Sequence, residues 1–124
     1  MPIRDFIEQG ILTGEPAIYE SGSYLFRQGE RTYYFYLVTS GSVLLEGTAA
    51  NMDEKIVAPP DFLLGITDLL NDVYSFTALA SETTFLIRID KQELQRAIQL
   101  NPSLRLYLIK QMIWEAAHTN TAFE

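Results

Sequence analysis

No cysteine occurs among the 124 residues. Disulfides, iron–sulfur clusters and thiolate zinc sites are therefore excluded. Histidine is almost as scarce: the single copy, His118, cannot build a multi-histidine metal centre. No metal or other cofactor is expected. Basic residues are few, nine Lys and Arg against sixteen Asp and Glu, for a net charge of −7. Release of counterions from nucleic acid or anionic lipid needs clustered cations, so neither is an expected partner. No apolar run approaches the roughly 20 residues that span a bilayer. The start, Met1-Pro2-Ile3-Arg4-Asp5, lacks the basic-then-apolar order of a secretion signal. Together these absences lead us to expect a cytoplasmic protein.

What is present is apolar and β-forming. With 48% hydrophobic and 20% charged residues, the chain can bury a core. Its length fits one domain, read here as an N-terminal helix in 1–14, a β-roll in 15–89 and C-terminal helices in 90–124. The spacing of Phe6, Ile7 and Ile11 predicts a helix over Ile3 to Leu12, ended by Gly14 and Pro16. Short β-branched and aromatic runs then alternate with turn residues: Ile18–Glu20, Tyr24–Phe26, Tyr33–Val38, Val43–Glu46, Lys55–Ala58, Phe76–Ala80 and Thr84–Ile89. The tight breaks at Ser40-Gly41-Ser42 and at Ser81-Glu82 predict hairpins on either side of each. Asp90 with Glu93 suggests a capping box opening a helix that ends near Leu100. Asn101-Pro102 predicts a second helix start, Asn as N-cap and Pro at the first helical position, running to about His118. The expected fold is mainly β with flanking helices, a sandwich or roll.

The order and spacing of several motifs resemble a known family. Gly22-x6-Gly29, Phe35-Tyr36-Leu37-Val38-x-Ser40-Gly41-x-Val43, Pro60-Asp61-x3-Gly65, Ser75-x-Thr77-Ala78-x-Ala80 and the Ile89-Asp90 junction follow cyclic nucleotide-binding domains. These are the sensor domains of catabolite-activator/Fnr-type regulators and of kinase regulatory subunits. The resemblance implies an eight-stranded, jelly-roll-like β-roll (a double-stranded β-helix) with an N-terminal helix, a short cassette helix and two C-terminal helices, and a ligand-binding role without catalysis. Regulators of this kind continue into a helix-turn-helix reader of DNA. No basic recognition helix precedes Glu124, so transcriptional regulation by this sequence alone is not expected.

In the family, the phosphate cassette holds the ribose hydroxyl with a glutamate after the glycine, and the cyclic phosphate with an arginine before Ser/Thr-Ala. Leu64-Gly65 matches its opening and Leu69-Leu70 its apolar pair. Ile66 stands in the glutamate slot, and Tyr74-Ser75-Phe76 replaces Arg-Ser/Thr-Ala. Each lost charged contact should cost on the order of 1.5–3 kcal/mol. At about 1.4 kcal/mol per tenfold, affinity for cAMP or cGMP falls a few hundred-fold or more. The residues of this degenerate cassette that could still contact a small ligand are Gly65, Ile66, Thr67, Tyr74, Ser75 and Thr77. Asp68, in the first turn of the cassette helix, is expected to cap that helix.

The second C-terminal helix is apolar around most of its circumference. Leu104, Leu108 and Met112 form one line and Leu106, Ile109, Ile113 and Ala117 another, with Tyr107 and Trp114 between. Such a helix needs cover on two sides. A homodimer through Leu104, Leu108, Met112 and Trp114 is expected, as in the family. Other readings carry less weight. The aromatic run Tyr33–Tyr36 lacks flanking cations and reads as packing rather than a base-stacking platform. His118 near a helix end reads as solvent-exposed rather than as a haem ligand. No Ser-His-Asp or metal cluster appears by spacing, so no enzyme is expected. Two functions stay open. One is a sensor module whose cyclic-nucleotide response is lost or retuned to another small ligand. The other is a protein-interaction or dimerisation scaffold without a small-molecule ligand, reaching its partner through the long helix or the Gly47–Asp53 loop.

Overall fold

The computed structural model describes residues 3–47, 55–58 and 63–119, the side chains of 55, 56 and 114–119 excepted. Helix α1 covers Ile3–Glu8. It stops four residues before the predicted Leu12, because the chain turns at Gly10, whose φ is +77°. Among the described residues eight strands follow: β1 Glu15–Tyr19, β2 Tyr24–Phe26, β3 Tyr34–Ser40, β4 Val43–Glu46, β5 Lys55–Val57, β6 Leu63–Leu64, β7 Thr77–Ala80 and β8 Thr84–Asp90. They form two four-stranded antiparallel sheets, one ordered β1-β8-β3-β6 and the other β2-β7-β4-β5. Helices α2 (Lys91–Leu100) and α3 (Pro102–Thr119) follow β8. This is the expected mainly β roll with flanking helices. No helix among the described residues is long and apolar enough to cross a membrane.

Both predicted hairpins are corners instead. Strand β3 pairs with β8 and β6, while β4 pairs with β7 and β5. Likewise β7 and β8, adjacent in sequence, lie in different sheets. A turn signal is the same whether the chain folds back on itself or crosses between sheets, so the sequence alone suggests the hairpin. The two corners pack on each other. Thr84 is fully buried, its hydroxyl accepts from the Ser42 N–H (3.3 Å), and it lies 3.2 Å from the Ser42 carbonyl and 2.9 Å from that of Glu82. The Ser42 carbonyl also accepts from the Ser81 N–H (3.0 Å). Gly41 is required here: its φ is +102°, and a Cβ would sit 2.6 Å from the Thr84 hydroxyl and 2.7 Å from the Thr83 carbonyl oxygen.

Side-chain alternation along β3 creates two cores. Tyr36 points into the roll, joining Leu25, Phe26, Tyr74, Phe76 and Leu86. Phe35 and Leu37 point outward, under the helices, with Phe6, Ile66, Leu94, Leu104 and Leu108. Asp90 caps α2, accepting from the N–H groups of Gln92 (2.8 Å) and Glu93 (3.4 Å). Glu93 does not complete the capping box: its carboxylate pairs with Arg96 one turn on. Asn101 sits at the predicted N-cap position of α3, its carbonyl accepting from the Arg105 N–H (3.1 Å), while its side chain serves α2. Its amide donates to the Ala97 carbonyl (2.9 Å) and so closes the end of α2.

One buried side chain ties α3 to the roll. β6 lies at the sheet edge, and the Gln111 amide covers that edge like an added strand. Its Oε1 accepts from the Leu63 N–H (3.1 Å) and its Nε2 donates to the Leu63 carbonyl (3.0 Å). Replacing Gln111 by Leu keeps the bulk and orphans two buried backbone groups. At about 1–3 kcal/mol for each unsatisfied group, urea denaturation should show a loss of roughly 2–6 kcal/mol.

Candidate functional site

The cassette begins where β6 ends. Gly65 turns the chain with φ +93°, and a Cβ there would sit 3.1 Å from the Phe35 ring and 3.3 Å from the Tyr74 ring. A single 3-10 turn, Ile66–Asp68, follows, with no side-chain cap at Gly65. The turn is stitched by N–H bonds from Asp68 to Gly65, Leu69 to Ile66 and Asn71 to Asp68. Of the expected apolar pair only Leu69 packs in the core; Leu70 is 93% exposed.

The two slots that distinguish this cassette point into different cores. Ile66 is fully buried under the helices, beside Phe35, Leu37 and Leu104. Tyr74 is buried inside the roll, its ring stacked on Phe26 with centroids 3.8 Å apart and planes 13° from parallel. Its hydroxyl donates to the Tyr34 carbonyl in a short hydrogen bond. Phe76 meets Phe26 edge-on at 5.1 Å, and Tyr36 lies at 5.8 Å. Burial pushes the Tyr74 hydroxyl up to about 12; the bond to the Tyr34 carbonyl acts against this, and Asp68 and Glu30 add to it. Tyr36 is raised further, by burial first and then by Tyr74. Both rings therefore stay neutral near pH 7 and serve as apolar filling with one polar end.

Tyr74, Ser75, Thr77 and Asp68 have polar partners within the chain. Backbone bonds join Tyr74 to the Gly29–Glu30 turn in both directions, each 2.9 Å. Thr77 accepts through Oγ1 from the Gln28 N–H (2.9 Å). Ser75 donates to Asp68 Oδ2 twice, from its N–H (2.9 Å) and its hydroxyl (3.0 Å). Asp68 Oδ1 accepts from the Asn71 side-chain amide (2.9 Å). The expected cap on the cassette helix is thus a cross-link instead: a 3-10 turn this short leaves the Asp68 carboxylate facing the 71–75 loop, not the N–H groups at its own start. Of the expected ligand residues, Thr67 and Ser75 are exposed, Thr77 is half-buried, and Gly65, Ile66 and Tyr74 are buried. Phe26 and Asp68 complete the arrangement and were missed as site residues. The carboxylate in a turn was a visible signal for Asp68. Nothing near Phe26 in sequence pointed to Tyr74, 48 positions away.

On α3, Leu104 and Leu108 are buried against the chain's own roll. These two expected interface residues are therefore packing residues, corrected because the line that Gln111 fixes on β6 is the inward one. Met112 is half-buried on that same core, and the side chain of Trp114 lies outside the described residues. The outward apolar line is Leu106, Ile109 and Ile113, exposed by 54%, 45% and 65%. Pro60-Asp61, the loop after Gly47 and the side chain of His118 also fall outside the described residues. Among the described residues no group of three His, Asp or Glu could hold a metal.

Comparisons with known proteins agree with this geometry. Residues 7–101 match the model of the cyclic nucleotide-binding domain family. The transcriptional activator protein FnrA of Stutzerimonas stutzeri is 29% identical over 114 residues, which make up 90% of this chain and 46% of FnrA. The chain thus spans about half the length of that relative. The sensor domain of the transcriptional regulator DNR from Pseudomonas aeruginosa superposes with a TM-score of 0.69 at 23% identity, covering 86% of this chain and 73% of that domain. The c-di-GMP responsive global regulator CLP of Xanthomonas campestris gives a TM-score of 0.74 at 20% identity, covering 96% of this chain and 61% of CLP. With the family model covering most of the roll, and the cassette turn and corner glycines in place, the chain belongs to the cyclic nucleotide-binding domain family, a family of regulatory sensor modules.

Proposed function

We propose that this chain is a non-enzymatic sensor module that has lost the cAMP and cGMP response and is retuned to another small ligand. The observation that carries this is Tyr74. In the slot where the family places a phosphate-binding arginine, a neutral ring stacks on Phe26 inside the roll. Ile66, in the carboxylate slot, faces the other core and offers no oxygen to a ribose. Thr67 and Ser75 remain at the surface, and Gly65 leaves backbone close by, as the residues a retuned ligand would meet. A neighbour in fold, CLP, is described as responsive to c-di-GMP, which is consistent with a roll serving different ligands.

The module acts as a homodimer through α3. Support comes from Leu106, Ile109 and Ile113, which repeat on the outward face at helical spacing and stay exposed in the single chain. The same face supports the second reading, a scaffold that binds another polypeptide and no small ligand.

A thermal-shift series with cAMP, cGMP, c-di-GMP and common metabolites separates the two readings. The expected result is no saturable shift with cAMP or cGMP at roughly 1 mM and a saturable shift with another compound. Strong stabilisation by cAMP overturns the loss of response, and silence toward every compound favours the scaffold. Light scattering at tens of micromolar should give a dimer that Ile109→Asp converts to a folded monomer; a wild-type monomer rejects the dimer.

A further inference from the structure

We infer that Asp68 is an internal anion that occupies the Ser75 and Asn71 donors of the cassette, holds it closed without ligand and excludes phosphates from those donors. The inference rests on the lost cyclic-nucleotide response proposed above and names the residue that enforces it. The carboxylate is 1% exposed although it lies in a surface turn. It takes three hydrogen bonds of 2.9–3.0 Å: the N–H and hydroxyl of Ser75 on Oδ2, and the Asn71 amide on Oδ1. A backbone N–H, a hydroxyl and a side-chain amide converging on one pair of oxygens form the donor set that a phosphate would need. Here the anion is covalently attached, so its effective concentration is high and no entropy of association is paid to seat it. An incoming phosphate would have to displace a carboxylate that remains close by as a like charge.

The same contacts extend away from the cassette. The Asn71 carbonyl accepts from the Thr32 hydroxyl (2.7 Å) and from Lys91 Nζ (3.0 Å), and Lys91 Nζ also reaches Thr32 Oγ1 (2.9 Å). Lys91 is the first residue of α2. A continuous polar chain thus runs from Ser75 through Asp68 and Asn71 to the start of the C-terminal helices. With Asp68 in place, the cassette and α2 are held together in the unliganded chain.

NMR at the Ser75 amide, in the full chain, tests this. In the wild type that amide exchanges slowly, and inorganic phosphate at tens of millimolar leaves its resonance unmoved. Asp68→Ala and Asp68→Asn should each speed exchange at Ser75 by about tenfold or more, and Asp68→Ala should gain a saturable phosphate-dependent shift there. Asp68→Asn keeps the side-chain volume and serves if the alanine variant does not fold. Unchanged exchange in a folded variant overturns the inference. So does a phosphate shift at Ser75 in the wild type, or a folded Asp68→Ala protein that takes no phosphate. Adding cAMP to the wild type separates the inference from the functional reading. Micromolar binding that leaves Ser75 unmoved overturns the lost response and supports the internal anion; micromolar binding that moves Ser75 overturns both.

Discussion

Ile66→Glu is expected to cost the fold about 3–5 kcal/mol, the scale of an uncompensated buried charge, and to bring no affinity for a cyclic nucleotide. Judged by slot alone, the substitution restores the family's ribose-binding carboxylate. Judged by packing, it drives that carboxylate into the apolar layer between sheet and helices, among Phe35, Leu37, Leu69, Leu104 and Leu108. Ile66 is fully buried there. The new side chain must either ionise without a partner or take up a proton, and each alternative favours the unfolded chain. Urea denaturation reads the loss directly. A variant with the wild-type midpoint that also binds cAMP would show that the cassette turn can rotate to present this position to the roll.

Tyr74→Ala should be comparably damaging, about 3–5 kcal/mol by analogy with other buried aromatic-to-alanine changes. The ring fills the roll interior against Phe26, and its hydroxyl satisfies the Tyr34 carbonyl. Removing both leaves a cavity and an unpaired carbonyl. Tyr74→Phe separates the two contributions: it keeps the stack and loses only the hydrogen bond, at about 1 kcal/mol. The midpoints should therefore fall in the order wild type, Tyr74→Phe, Tyr74→Ala. If the alanine variant is as stable as the wild type, the ring is not part of the core and does not fill the roll in place of a ligand.

Much of the fold was legible in sequence because it rests on local rules. Strands β2 and β4 have the bounds expected from their β-forming runs, and Asp90 caps α2 as its position before that helix implied. The inward and outward alternation of Phe35 and Tyr36 follows from the two-residue period of a strand alone. Strand pairing was not legible. Gly41-Ser42 and Ser81-Glu82 carry the signals of tight turns, yet both are corners between sheets. What distinguishes them is Thr84, which binds the two corners to each other across more than forty residues.

The site divides along the same line. Identity is local, so the departures at Ile66 and Tyr74 from the family's charged pair could be read directly from their slots. Direction is not local. That Ile66 faces the helices while Tyr74 faces the roll depends on how β6, the cassette turn and α3 pack, and no spacing in the chain contains it. The same holds for α3, where sequence supplies two apolar lines of nearly equal weight. The inward choice belongs to Leu104 and Leu108, because the Gln111 amide can reach the open edge of β6 only from that side. Sequence by itself determined a β-roll of this family, with Ile66 and Tyr74 standing where the resemblance implies a charged pair. Tertiary structure decided that a stacked tyrosine and a buried carboxylate stand in the place of that pair, because burial and hydrogen-bond pairing depend on residues far apart in the chain.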